Sequence, residues 1–110
     1  MKKYSVYWTI EASKDLKETI EYILLDSPSA AEDIYNRIKK LCLSLEAIPN
    51  RFRVVPELAD LGFTQYREII DDPYRIIYKV MDKKIYIIAV VDSRRNFEEF
   101  IFNRLIREIK

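Results

Sequence analysis

The chain has no histidine among its 110 residues. That removes the side chain most often used as a general base near neutral pH, the commonest zinc ligand and every Ser-His or Cys-His nucleophile. Glycine occurs once, at Gly62. A single glycine excludes the glycine-rich loops that cradle phosphates in Walker and dinucleotide-binding motifs. Cysteine also occurs once, at Cys42, so no disulfide can close within the chain and no cysteine cluster can hold a metal. Long hydrophobic runs are missing. The longest strongly apolar stretch, Ile85 to Val91, falls far short of the roughly 20 residues that span a bilayer. The amino-terminal Met1-Lys2-Lys3 leads into Tyr4-Ser5-Val6-Tyr7-Trp8, which is too short and too polar for a signal peptide. A cytoplasmic protein is expected, with no metal, no cofactor and no membrane partner.

What is present is the material of one globular domain, taken as residues 1–110. Hydrophobic residues make up 49% and charged residues 34%, too apolar for a disordered chain and too charged for a membrane span. The formal charge is +1, yet the charges are segregated. From Ile10 to Asp33 the bases Lys14 and Lys17 face seven acids, a net of −5. From Arg37 to Val55 five bases face Glu46, a net of +4. Either these are solvated helix faces or they give the fold an acidic and a basic region.

Periodicity supplies the elements. Lys3 to Trp8 is a short run of β-formers and reads as a strand. Thr9 is placed to cap a helix, with Glu11 in its first turn and Leu16, Ile20, Ile23 and Leu24 on its apolar side. Ser27-Pro28 starts a second helix. Its Ala31, Ile34, Ile38, Leu41, Leu45 and Ile48 recur at steps of three and four and predict one stripe over five turns, ended by Pro49. The short connection makes the two helices an antiparallel hairpin. Cys42 lies beside the stripe and reads as a buried small hydrophobe. Arg51 to Phe63 has no regular pattern. Three strands follow, Tyr66–Ile70, Tyr74–Met81 and Lys84–Val91, joined by short turns that require an antiparallel meander. The third is apolar throughout, as in a central strand covered on both faces. Asn96 and Glu99 resemble a capping box before a last helix, Phe97–Ile109, with Phe97, Phe100, Ile101, Leu105 and Ile109 toward the core. The class is therefore α+β, a helical hairpin stacked on an antiparallel sheet.

Chemistry is left to arginine, tyrosine and carboxylate. Arg67 and Arg75 interrupt neighbouring strands, and Arg94 and Arg95 follow the last one. A three-residue loop, Asp71 to Pro73, puts Arg67 and Arg75 on one face, whereas a two-residue loop splits them, because strand side chains alternate. Pro73 cannot donate to a ladder, which favours the longer loop. Grouped guanidinium groups suit phosphate. Arg94 and Arg95, beside a helix start, add backbone N–H groups. The alternative is that Arg67 and Arg75 pair with Glu57, Glu68, Asp71 or Asp72 to hold the fold. Tyr66, Tyr74, Tyr78 and Tyr86 lie on or beside the sheet, as base-stacking platforms or as half-buried strand residues. Glu57 is a lone acid in a loop, a general-base candidate or a structural carboxylate.

The order of Tyr66-Arg67-Glu68-Ile69-Ile70, then Pro73-Tyr74-Arg75-Ile76-Ile77-Tyr78, then the apolar strand ending in Asp92-Ser93-Arg94-Arg95 resembles the RelE/ParE toxin superfamily. Trp8-Thr9-x-Glu11-Ala12-x-x-Asp15-Leu16 and Asp26-Ser27-Pro28-x-Ala30-Ala31 add to the resemblance, which covers nearly the whole chain. It implies a toxin of a type II toxin–antitoxin pair, blocked by a DNA-binding antitoxin whose tail folds around it. It implies one of two targets: mRNA on the ribosome, cut by a RelE-like endoribonuclease, or DNA gyrase, poisoned by a ParE-like toxin. By position, Arg75 matches the strand arginine shared by both branches, Arg95 the second arginine after the apolar strand, and Arg67 the first basic position of the preceding strand. Three positions depart. Ile69 replaces a second basic residue, Asp92 a frequent histidine, and Phe100-Ile101-Phe102 the region where a nuclease carries tyrosine. RNA cleavage needs a proton acceptor and a proton donor, and arginine, with a pKa above about 12, serves poorly as either. The ParE-like branch is favoured, an inactive homologue serving as an interaction module being a further possibility.

Overall fold

A computed structural model describes residues 3–109, with side chains through Arg107. The core position expected for Ile109, and the terminal residues Met1, Lys2 and Lys110, lie outside the described residues or side chains. The elements are β1 (Ser5–Trp8), α1 (Ile10–Leu24), α2 (Pro28–Leu43), a 3-10 turn (Ser44–Glu46), α3 (Pro56–Ala59), β2 (Tyr66–Asp71), β3 (Tyr74–Met81), β4 (Lys84–Asp92) and α4 (Phe97–Ile109). None of the described helices is long and apolar enough to cross a membrane.

The expected caps form. The Thr9 hydroxyl accepts from the Ala12 N–H at 3.1 Å and donates to the Ile87 carbonyl at 2.8 Å. One side chain therefore starts α1 and ties it to β4. Ser27 accepts from the Ala30 N–H, with Pro28 at the first helical position. The Asn96 side-chain oxygen accepts from the Glu99 N–H at 3.2 Å, the first bond of a capping box, whereas the Glu99 carboxylate takes the Asn96 side-chain amide in place of its backbone N–H.

The second helix stops earlier than its stripe predicts. At Ser44 the helix tightens into the 3-10 turn, and the Ser44 hydroxyl donates to the Leu41 carbonyl at 2.6 Å. A hydroxyl bonding back to the preceding turn competes with the regular ladder. Leu45 remains fully buried, but Ile48 is turned out to solvent. Leu24, at the end of α1, is also exposed. The stretch read as irregular holds one short helix, α3, and a single bridge from Val54 to Arg67.

The sheet runs β1-β4-β3-β2. The meander β2-β3-β4 is antiparallel. β1 joins β4 in parallel, so the sheet as a whole is mixed. A parallel neighbour requires a long crossover, and the helical hairpin is the first part of that crossover. One face packs under the hairpin: Ile69, Ile76, Tyr78, Ile85, Ile87 and Val90 meet Ala12, Leu16, Ile38, Cys42 and Leu45. The other packs under α3 and α4: Ile77, Ile88, Ala89 and Val91 meet Val55, Leu58, Phe97, Ile101 and Leu105. β4 is covered on both sides, as its unbroken apolar run requires. A register shift between Ile77 and Tyr78 leaves Ile88 as the extra residue of β4, so Ile88 and Ala89 share the α4 face.

Cys42 is buried, and burial pushes its thiol up to about 12 from an ordinary 9.0, against the pull of Lys39. Burial also pushes the Tyr78 hydroxyl up to about 12, from 10.0. A group whose folded value is raised stabilises the fold below its unfolded value, and that stability is lost as pH rises toward the folded one. Resistance to urea should therefore fall between pH about 9 and about 12. At neutral pH a thiol-specific reagent should label Cys42 only at denaturant concentrations that unfold the chain. Rapid labelling of the native protein would contradict the burial.

Candidate functional site: dispersed arginines and two buried ion-pair networks

The turn between β2 and β3 has two residues, not three. Asp71 pairs with Tyr74, leaving Asp72 and Pro73 as the loop. Excluding proline from the ladder constrains Pro73 alone. Asp71 stays in the strand, where Arg37 of α2 grips both its carboxylate oxygens at 2.9 Å. Arg75 then lies opposite Ile70, and Arg67 opposite Tyr78. Because side chains alternate, Arg67 and Arg75 occupy opposite faces. The shared face expected from the sequence is not formed. Arg67 instead donates to the Phe52 carbonyl at 2.7 Å.

Arg75 is only 8% exposed and serves as the centre of a charge network. Its Nε donates to Glu68 at 2.6 Å, and its two terminal nitrogens grip Glu57 at 2.9 and 2.7 Å. Arg53 takes the other oxygen of Glu68 at 2.7 Å. Two arginines and two carboxylates make a neutral set, which is how buried charge is tolerated. The Arg75 guanidinium also lies 3.6 Å from the centre of the Phe97 ring. Burial works against its charge, but the Glu57 and Glu68 carboxylates outweigh burial and hold it above the ordinary arginine value. The hydrogen bonds from Arg75 hold Glu57 below the usual carboxylate range, against partial burial. A carboxylate so held is a weak base. The pairing weighed for Arg75 in the sequence is the one observed, and it anchors α3 to the sheet.

Arg94 and Arg95 part company. Arg94 folds back on Asp92 through its Nε at 2.9 Å and a terminal nitrogen at 2.6 Å. The hydrogen bond from Arg94 lowers the Asp92 carboxyl and, in return, raises the guanidinium. Arg95 is exposed and leans on Phe100, 5.4 Å from the ring centre. Of the tyrosines, Tyr66, Tyr74 and Tyr78 are buried, and the Tyr78 hydroxyl donates to the Pro49 carbonyl. Burial, helped by Asp92, raises the Tyr74 hydroxyl above its ordinary value. Tyr86 is half-buried and stacks on Tyr7. None of these four offers a bare platform for a base.

Sequence reasoning missed a second network. Arg104 of α4 is 7% exposed and grips both oxygens of Asp15 at 2.7 and 2.9 Å, while also donating to the Ile88 carbonyl at 2.8 Å. Asp15 in turn accepts from the Val90 N–H at 3.0 Å. One ion pair thus locks α1, β4 and α4 together. Its only sequence signal was a charge at position 104 one residue from the apolar Leu105, at the border of the buried stripe.

A helical hairpin on one face of a small mixed sheet, with arginines at the strand ends, defines the α+β toxin class that the motifs resemble. The chain belongs to the ParE toxin family: the family model for the ParE toxin of type II toxin-antitoxin system, parDE, matches residues 6–97. It is the toxin component of such a system, and its partner is a cognate antitoxin. A solved structure from a chromosomal ParDE TA system of P. aeruginosa is similar in fold, with a TM-score of 0.63 at 22% identity, covering 82% of this chain and 96% of that one. A comparison with curated protein sequences gives no match.

Removing one member of a buried ion pair leaves the other uncompensated, at a cost of about 3–5 kcal/mol. Arg75→Ala and Asp15→Ala should each lower unfolding free energy by about 3 kcal/mol in urea titrations. Arg94→Ala, at an exposed pair, should leave the melting temperature unchanged. An Arg75→Ala protein as stable as the parent would remove the structural role. Glu57 contributes stability above its unfolded value of 4.5, and this is lost as pH falls through its lowered folded value. Glu57→Gln should therefore flatten the acid side of the stability profile.

Proposed function

We propose that this toxin arrests growth by binding DNA gyrase, in the ParE-like manner, and does not cut RNA. The observation that carries the reading is the engagement of Arg75 by Glu57 and Glu68. RNA cleavage requires one group to take the 2′-hydroxyl proton and another to protonate the leaving oxygen. The sequence has no histidine. Of the two carboxylates on the sheet arginine, Glu68 is fully buried, and Glu57, the more exposed, is held ionised and weakly basic by its partner. The arginines themselves exchange protons too reluctantly to replace a base.

The reading treats 1–110 as a single domain acting in the cytoplasm, where gyrase is met. Of the four arginines singled out from sequence, Arg67, Arg75 and Arg94 are engaged within the chain. Arg95 is the one whose guanidinium meets only an aromatic ring among the described residues, and it is the candidate for direct contact with the target. Arg67 and Arg75 then act by holding the sheet.

Purified toxin should inhibit gyrase supercoiling and raise cleaved-complex DNA, with mRNA intact in a translating extract. Arg95→Ala should weaken that inhibition at unchanged melting temperature. Cleaved mRNA with normal supercoiling would replace this reading with the RelE-like endoribonuclease. Growth unaffected by expression without antitoxin would indicate an inactive homologue.

A further inference from the structure

Strand β1 accompanies β4 only from Ser5 opposite Lys84 to Trp8 opposite Ile87. Beyond Ile87, β4 continues to Asp92 with no strand along that edge among the described residues. Exposed ladder positions need covering or invite a partner strand. Two side chains cover the first of them: Arg104 donates to the Ile88 carbonyl and Asp15 accepts from the Val90 N–H. At the far end the Arg95 N–H takes the Asp92 carbonyl at 3.0 Å, and the edge between these points is open. Val90 directs its N–H to Asp15, away from β3, while Ser93 directs its N–H across to the Pro73 carbonyl beyond β3. By alternation, the Val90 carbonyl and the Asp92 N–H also point outward, and neither takes a side-chain partner among the described residues.

These two groups lie along a groove of about 510 Å³ between α1 and α4, within the size range of ligand sites. Lys14, Glu18 and Tyr22 form one wall, and Arg95 and Phe100 the other. The groove exists because α4 is present, and the family match ends at residue 97, where α4 begins. Its other charges are largely spoken for. Asp15 is paired with Arg104, Glu11 with Arg107 and Asp92 with Arg94. Arg95 has no carboxylate partner among the described residues.

We propose that this groove docks an extended segment of a partner polypeptide that carries one carboxylate. In parallel register a single residue of that segment donates its N–H to the Val90 carbonyl and accepts from the Asp92 N–H. Its carboxylate side chain, or that of a neighbour, meets the Arg95 guanidinium. The paired backbone donor and acceptor match a peptide. The lining sets the acids Glu11, Asp15, Glu18 and Asp92 against the bases Lys14, Arg95, Arg104 and Arg107, so it lacks the excess of positive charge that a polyphosphate chain requires, which favours a peptide over a nucleic acid. The proposal does not depend on gyrase being the target, since its readout is binding and not growth arrest.

The test titrates a panel of blocked pentapeptides, with central glutamate and threonine, valine or tyrosine flanks, into the ¹⁵N-labelled full chain. At least one should shift the Val90 and Asp92 amide resonances and slow hydrogen exchange at Asp92. Arg95→Gln should weaken that peptide about tenfold. Replacing its glutamate by glutamine should weaken it by a similar factor with the parent protein and no further with Arg95→Gln. Arg95→Lys should restore part of the affinity. The proposal is overturned if no member binds at millimolar concentration, if binding is indifferent to Arg95, if the shifts map to the β2 edge or the hairpin, or if an oligothymidylate binds the groove more tightly than any peptide.

Discussion

A strand without a polar side must be covered from above and below, and β4 imposes that requirement on the whole chain. Its residues from Ile85 to Val91 are buried except for Tyr86, which is half-covered. The helical hairpin serves one face, and α3 with α4 serves the other. Each buried aliphatic side chain contributes about 1.5–3 kcal/mol relative to exposure, so the two layers are mutually dependent through this strand. The extra residue at Ile88 lets two successive side chains enter the α4 layer. It thereby gives that layer a wide enough seat for Phe97 and Ile101.

Around that apolar centre the buried charges occur in compensated sets. Arg75 and Arg53 offset Glu57 and Glu68 at one end, and Arg104 offsets Asp15 at the other. Both sets connect segments far apart in sequence, α3 to β2 and β3 in one case, α1 to β4 and α4 in the other. Isolated, any of these charges would be too costly to bury. Paired, each fixes the orientation of an element that hydrophobic contact alone would leave free to slide. Guanidinium groups at the ends of strands therefore act first as fasteners in this molecule.

The chain belongs to the ParE toxin family. The chain carries its arginines on a rigid frame, yet most are engaged internally. Among the described residues, Arg95 and the unpaired end of β4 lie open side by side next to the terminal helix. Unpaired ladder groups on a strand edge are a template on which another chain can pair.

The periodicities were enough for the elements themselves. Thr9, Ser27 and Asn96 cap the helices they were expected to cap, and the three strands of the meander fall where alternation placed them, the first and third each ending one residue later than expected. Those signals are local, set by backbone geometry within a few residues. The 3-10 ending at Ser44 escaped notice because a serine hydroxyl can bond backward or outward with the same spacing. The candidate site was less legible. Whether Arg67 and Arg75 share a face turned on one residue, Asp71, which pairs with Tyr74 in the ladder and is gripped by Arg37 across 34 positions of chain. Arg104 and Asp15 are separated by 89 positions. Composition and spacing settled which residues could be buried or charged. Only the folded chain decided which charges met, because ion pairing depends on distances in space that no local repeat encodes.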